Sequence, residues 1–294
     1  MNNYYPEILY KYRNADDGIK ILSDLYLWFS SPSQFEDKYD CHPEFELIDK
    51  SISSSKKAIQ FLENMLISKE SPDKDVVRGY GKDFIEKSIE EIKKGKNPKK
   101  LLDNIFSGIL QNDLRILSLC NSTLNDKMWN KYADNHKGII IGIKTKNLFR
   151  GRQPFEVKYH TDKDFPIKLN GTFYDYYSIT NKAKDEIFKL FYTKNQKYRY
   201  ENEYRFMFFV NSEKEYLNNI SKDISYNIFA LNNSKGYEYP ISKWDIDSIY
   251  LGEKVNESDK LKICYLVKTS LVNTNLYQCY RINDTLKFKQ INAK

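Results

Sequence analysis

Apolar and polar positions alternate along "EILYKYR" (7–13), with Ile8, Tyr10 and Tyr12 on one side and Leu9, Lys11 and Arg13 on the other. That two-residue period predicts a first strand. "NADDGIKILSD" (14–24) opens on capping residues and places Ile19 and Leu22 three apart, which predicts a short helix. "LYLWFSS" (25–31) predicts a second strand ended by Pro32, and "PSQFEDKYDCHP" a loop. The period then changes. Between about 44 and 112, Ile59, Leu62, Met65 and Leu66, then Phe84, Ile85, Ile89 and Ile92, then Leu101, Leu102, Ile105, Phe106 and Ile109 recur at helical spacing. This stretch predicts a helical insert, broken near "ESPDK" and "GKNPKK".

The strand pattern returns in "LRILSLCN" (114–121), "KGIIIGI" (137–143) and "FEVKYH" (155–160). A short helix is expected over "NDKMWNKYADN" (125–135) and an amphipathic one over "NKAKDEIFKLFYTKN" (181–195). "EYRFMFFV", "DIDSIYLGEK" (245–254), a helix around "ESDKLKICYLV" and a last hairpin complete the series. The expected architecture is α+β: one domain over 1–294, a mostly antiparallel mixed sheet and a helical insertion.

Composition adds little to this and removes several classes. Hydrophobic residues make up 40% and aromatics 15%, with 24 Tyr and 17 Phe, too rich for a disordered chain. The mean hydropathy of −0.69 reflects abundant Lys and Asn. A net charge of +7 is compatible with an anionic partner, although a solvated lysine surface explains it as well. No segment has the roughly 18 apolar residues of a membrane span, and "MNNYYPEILYKYR" lacks the apolar stretch of a secretory signal. Cys41, Cys120, Cys264 and Cys279 form no paired metal motif. They read as reduced thiols of a cytoplasmic protein. No phosphate loop, GxGxxG, HExxH or GxSxG is present, and the only histidines are His42, His136 and His160. Triad hydrolysis and a zinc site are therefore disfavoured.

Three polar clusters attached to strands remain: Tyr12-Arg13, Ser30-Ser31, and Glu201, Asn202, Glu203 and Arg205. On a strand, Glu201, Glu203 and Arg205 share one face while Tyr204, Phe206 and Phe208 share the other. Two carboxylates and a guanidinium ahead of an apolar run suit a cleft; they suit a cross-strand ion pair at a sheet edge equally well. Trp129 and Tyr132 at helical spacing are more often core than ligand-stacking groups. The basic aromatic run with Lys194, Lys197 and Arg199 would fit a phosphate backbone, or simply a lysine-rich helix end.

The blocks "LYKYR", "LWFSSPSQFEDKYD", "ILSLCNSTLNDKMWNKYADNHKGIIIGI", "VKYH" and "YENEYRF", closing with "IYLGEK", resemble an uncharacterised bacterial domain family met in defence-type gene neighbourhoods. Glu36, Asp37 and Lys38 stand where that family has Asn-Asp-Pro. More remotely, the order Arg13, Ser30-Ser31, Glu201-Asn202-Glu203 resembles the ADP-ribosyltransferase fold. That resemblance implies NAD as the dinucleotide and an ADP-ribosyl transfer to nucleic acid or protein, in anti-phage defence and with a partner from the same operon. It implies catalytic roles for Glu203, facing the ribose, and Glu201, facing the acceptor. Arg13 would hold pyrophosphate, Ser30 and Ser31 would brace the site, and Tyr12 or Trp129 would stack on a ring. Two alternatives stay open: a non-catalytic module binding a nucleotide or phage component, and a nuclease holding Mg²⁺ between Glu201, Glu203 and Asp37 or Asp40.

Overall fold

The computed structural model describes residues 5–37, 39–41, 44–46, 55–67, 82–98, 100–102, 114–146, 148–161, 168–170, 191–210, 232–233 and 235–292. Its early strands are β1 (Ile8–Arg13), β2 (Tyr26–Ser30), β3 (Glu44–Glu46), β4 (Leu114–Cys120) and β5 (Ile139–Lys144). The short strands β6 (Phe155–Glu156), β7 (Lys158–His160), β8 (Lys168–Asn170) and β9 (Thr193–Asn195) follow, then β10 (Glu203–Phe209). The last are β11 (Asn232–Asn233), β12 (Gly236–Pro240), β13 (Ile246–Leu251), β14 (Asn275–Ile282) and β15 (Thr285–Gln290). Helices are α1 (Ala15–Asp24), α2 (Ser55–Ile67), α3 (Lys82–Lys93), α4 (Asp126–Tyr132) and α5 (Glu257–Thr269).

Eleven strands form one sheet in the order β11-β12-β2-β4-β1-β5-β13-β14-β15, with β10 joined to β4 and β6 to β10. All of its pairings are antiparallel except β13 with β14. The protein is thus a mixed α/β structure built on a mostly antiparallel sheet. One face carries a large apolar core: Leu9, Leu117, Leu119, Ile139, Ile141 and Ile143 of the central strands pack with Ile21 and Leu22 of α1 and Ile263 and Val267 of α5. The opposite face carries a smaller cluster, in which Tyr12, Cys120 and Ile140 meet Met128 and Trp129 of α4. The alternation of β1 splits these two sets between the faces, as its sequence requires. Four fully buried isoleucines on β5 contribute about 1.5–3 kcal/mol each, relative to exposure.

One detail of topology shapes everything downstream. β10 pairs with β4 along its whole length, from Glu203↔Cys120 to Phe209↔Leu114. β1 and β2 must therefore share the other edge of β4. β1 pairs only at Tyr10↔Cys120 and β2 only at Ser30↔Ile116. Both strands run antiparallel to β4, so they diverge over the stretch between these contacts, β1 toward β5 and β2 toward β12. The sheet forks at Ser118. α1 fills the connection between the diverging strands; Asn14 caps it by accepting from the Asp17 amide at 2.8 Å, and Asp16 and Asp17 favour its first turn. At the far end of β1, a Cβ on Gly138 would lie 2.1 Å from the Arg13 carbonyl. Only glycine lets the turn before β5 close on the strand that carries Arg13.

Three sequence expectations need correction. "FEVKYH" is not one strand: β6 joins the main sheet while β7 pairs in parallel with β9. The end of the helix expected over 181–195 is instead β9 (Thr193–Asn195), and 181–190 lies outside the described residues. Glu201 is not on the strand. It ends a 3₁₀ helix (Gln196–Glu201) capped by Asn195, and Asn202 takes a left-handed conformation (φ 43°) before β10 begins. Within 44–112, α2 and α3 pack on each other, and the stretch also contains β3.

Candidate functional site

The fork opens into a cleft of about 300 Å³, lined by all of Tyr10 to Arg13 from β1 and Ser30 from β2. Ser118 to Cys120 of β4 form its floor, and Lys131 and Tyr132 of α4 one wall. Gln34 to Asp37 and Asp40, from the loop after β2, lie across it, with Lys194, Tyr198, Glu201, Glu203 and Arg205 opposite.

Five of these side chains form a buried charge network. Arg205 is wholly buried and grips two carboxylates at once: its Nη1 and Nη2 donate to Asp40 at 2.8 and 2.7 Å, and its Nε and Nη2 to Glu203 at 2.7 and 3.2 Å. Nη1 also donates to the Phe191 carbonyl at 2.8 Å. Lys194 donates to Glu201 at 2.6 Å and Glu203 at 3.0 Å, and lies 3.7 Å from Asp40. The Tyr132 hydroxyl donates to the remaining oxygen of Glu201 at 2.7 Å. Burial pushes the Glu203 carboxyl up, but Arg205 and then Lys194 pull it further down, so it stays ionised well below the usual carboxylate range. Burial alone would discharge Lys194; Glu203 and Asp40 more than offset that and hold it protonated. Lys131 adds a longer contact to Glu201, at 3.9 Å.

The β1 wall has the opposite character. Lys11 is 8% exposed and donates to the Ser118 carbonyl at 2.7 Å, the point where β4 loses its neighbour at the fork. Burial, and then the adjacent Arg13, hold its amine well below the ordinary lysine range. Arg13 makes one hydrogen bond among the described residues, at 3.3 Å to the carbonyl of Tyr12. Neither side chain has a carboxylate within ion-pair distance among the described residues. The loop over the cleft is pinned by Asp40 on Arg205 and, at the mouth, by Glu36 on Lys131 at 3.1 Å.

Tyr12, Arg13, Ser30, Glu201 and Glu203 therefore meet on one cleft. Residues 128–206 match the family described as "Protein of unknown function (DUF2971)". No curated protein and no solved structure matches the chain. The DUF2971 segment holds the carboxylate side of the cleft, from Met128 and Tyr132 to Glu201, Glu203 and Arg205, while Tyr12, Arg13 and Ser30 precede it.

Ser31 and Trp129 lie elsewhere. Ser31 is buried; its amide donates to the Lys235 carbonyl at 2.8 Å and its hydroxyl caps the turn Pro32–Gln34. Trp129 is fully buried, stacked on His136, edge-on to Tyr12, and donates from Nε1 to the Thr123 carbonyl at 2.9 Å. It is a core side chain. Lys194, for which the sequence leaves open a phosphate-backbone contact or a lysine-rich helix end, is spent inside the carboxylate network; Lys197 and Arg199 are exposed. A divalent ion between Glu201, Glu203 and Asp40 would occupy ground that Lys194 and Arg205 already hold. Sequence reading missed Lys11 and the Asp40–Arg205 pair. Lys11 gave no signal beyond sharing the polar side of an alternating strand with Arg13, and Asp40 and Arg205 stand 165 residues apart.

Proposed function

We propose that the cleft binds the nicotinamide-ribose end of NAD and that the protein transfers the ADP-ribosyl group to an acceptor. The observation that carries this reading is the meeting of Arg13, Ser30 and Glu203 on one cleft at the fork of a split sheet, from strands far apart in sequence. A volume of about 300 Å³ stands at the small end of ligand sites and suits a nucleoside-sized group. As the bond from ribose to nicotinamide breaks, the bonding pair leaves with nicotinamide and positive charge grows on the sugar. Glu203, held ionised by its neighbours, supplies a fixed negative charge against it. Its oxygens are engaged by Arg205 and Lys194, so its part is electrostatic rather than proton transfer. Glu201, braced by Tyr132 and Lys194, stands next to it on the acceptor side. The acceptor is a nucleic acid or a protein, and the setting that fits the resemblance is anti-phage defence with a partner from the same operon.

The test is nicotinamide release and label transfer from NAD in the presence of DNA, RNA and protein pools. Wild type should turn over, and Glu203→Gln, which keeps shape and removes charge, should lose on the order of 10²–10³ in rate. Absence of nicotinamide release from wild type with every pool would refute the transferase reading.

The same pairing of Glu203 supports a second reading, a nucleotide-binding module without turnover. In that case nucleotide affinity survives Glu203→Gln and no product forms.

A further inference from the structure

Arg13 lines two cavities, the cleft and a second one of about 280 Å³ formed with Asp17, Lys20, Ile21 and Asp24 of α1, Tyr26 and Trp28 of β2, and Glu238 of β12. The two also share a wall. Tyr26, Trp28 and Ser30 alternate along β2 and so fall on one face; the first two line the second cavity and the third lines the cleft. One strand face thus lines both hollows, and Arg13 lines both as well.

The second cavity has the chemistry of a nucleoside site. Two aromatic rings offer a stacking surface that any base can use. Trp28 lies across Gly236, where a Cβ would come 2.2 Å from its ring, so the strand opposite has given up its side chain to seat the indole. The polar lining is acidic but committed elsewhere in part: Glu238 pairs with Lys20 at 3.5 Å, and Asp17 accepts from the Asn14 side chain at 3.0 Å. Carboxylates around a ring slot favour the hydroxyl and amino donors of a nucleoside and disfavour phosphate. Phosphate instead has Arg13 at the junction, with most of its guanidinium donors unused among the described residues, and Lys11 beyond it.

We infer that the two cavities form one groove for a nucleoside diphosphate unit, with the base stacked on Trp28 and Tyr26, the diphosphate at Arg13, and the group attached to the distal phosphate in the cleft. This rests on the reading of the cleft as the ribose end of a dinucleotide site, and it assigns the other end. It also predicts which fragments bind where: ADP reaches the second cavity and the junction, whereas nicotinamide mononucleotide reaches only the cleft and the junction.

Calorimetric titration of ADP and of nicotinamide mononucleotide into the full chain at low salt tests this. ADP should bind wild type, and Trp28→Leu should weaken it on the order of 5- to 150-fold, the range for loss of one base–aromatic stack. Trp28→Phe, which keeps a ring, should restore most of the affinity, and Arg13→Gln should weaken both ligands. Trp28→Leu should leave nicotinamide mononucleotide affinity within about twofold. Failure of wild type to bind ADP, or equal ADP affinity in wild type and a folded Trp28→Leu, overturns the groove. Absence of NAD turnover with ADP binding intact and dependent on Trp28 would instead remove the transferase reading and leave the groove standing.

Discussion

Replacing Arg205 by Met tests the charge network most directly. The guanidinium has four contacts to two buried carboxylates, at 2.7–3.2 Å, one to a backbone carbonyl and one to the Cys41 sulfur. Methionine fills a similar volume and removes all six. Asp40 and Glu203 then have only Lys194 as a cationic partner, while Glu201 keeps Lys194 and, at 3.9 Å, Lys131, and the buried carboxylates are left undercompensated. Removing one partner of a buried ion pair costs about 3–5 kcal/mol, because the partner left behind keeps its desolvation penalty. The same loss is expected here at pH 7.5, read as a shift in urea midpoint at constant slope.

The pH dependence makes the prediction specific. In wild type the folded Glu203 carboxyl is depressed below its unfolded value of about 4.3. The folded state binds fewer protons, so this contribution is complete above about pH 4.3 and is lost as the pH falls toward the folded value. In Arg205→Met, burial becomes the dominant influence and the carboxyl rises above 4.3. The variant then takes up a proton on folding and loses stability as the pH increases from about 4.3 toward neutrality. The gap between wild type and variant should therefore widen from pH 5 to pH 7.5. A gap below about 1 kcal/mol at pH 7.5, or one equal at both pH values, would refute the account of the network as mutually neutralising.

Trp129→Ala should cost about 3–5 kcal/mol, as expected for emptying a buried aromatic site. Trp129→Phe should keep nucleotide affinity within twofold; a large loss of affinity in folded Trp129→Phe would return the residue to the ligand. Lys11→Met tests the depressed amine at the fork. The unfolded state binds the Lys11 proton up to about pH 10.4 while the folded state releases it earlier, so Lys11 makes wild type gain stability with pH on the alkaline side. Urea midpoints at pH 7.5 and 9.5 should show wild type gaining on Lys11→Met, and parallel midpoints would contradict a Lys11 amine lowered by burial.

How far the sequence revealed this structure depends on whether the cause was local. The period of "EILYKYR" placed Tyr12 and Leu9 on opposite faces, and the structure puts them in separate cores. The caps and apolar spacing of 14–24 and 125–135 located α1 and α4 to within a few residues. "FEVKYH" failed because nothing local shows that Val157 is where the chain leaves one sheet for another; its amide donates to the Glu203 carbonyl between the two. Glu201 reads as a strand residue because E-x-E alternates like a strand, whereas it ends the 3₁₀ helix. The left-handed Asn202 brings both carboxylates to Lys194 by a turn instead. Asp40 stands out in the sequence only as an alternative Mg²⁺ ligand beside Asp37, since its pairing with Arg205 depends on that residue arriving from β10.

The composition of the network itself bears on function. A buried cluster of five charges is a poor way to stabilise a fold, because apolar residues of the same volume usually serve as well or better. Next to it, β4 and β10 show that alternative: Phe206 and Phe208 fill the other face of the same strand with aromatic core. The charges at 40, 194, 201, 203 and 205 are thus confined to the side of β10 that borders the cleft. On the opposite wall, Lys11 and Arg13 lie buried or half-buried without carboxylate partners among the described residues. Folding alone would have paired the two sets or dispensed with both. A ligand of the kind proposed above, with positive charge growing at one end and phosphate at the other, would meet Glu203 on one side of this cleft and Arg13 on the other.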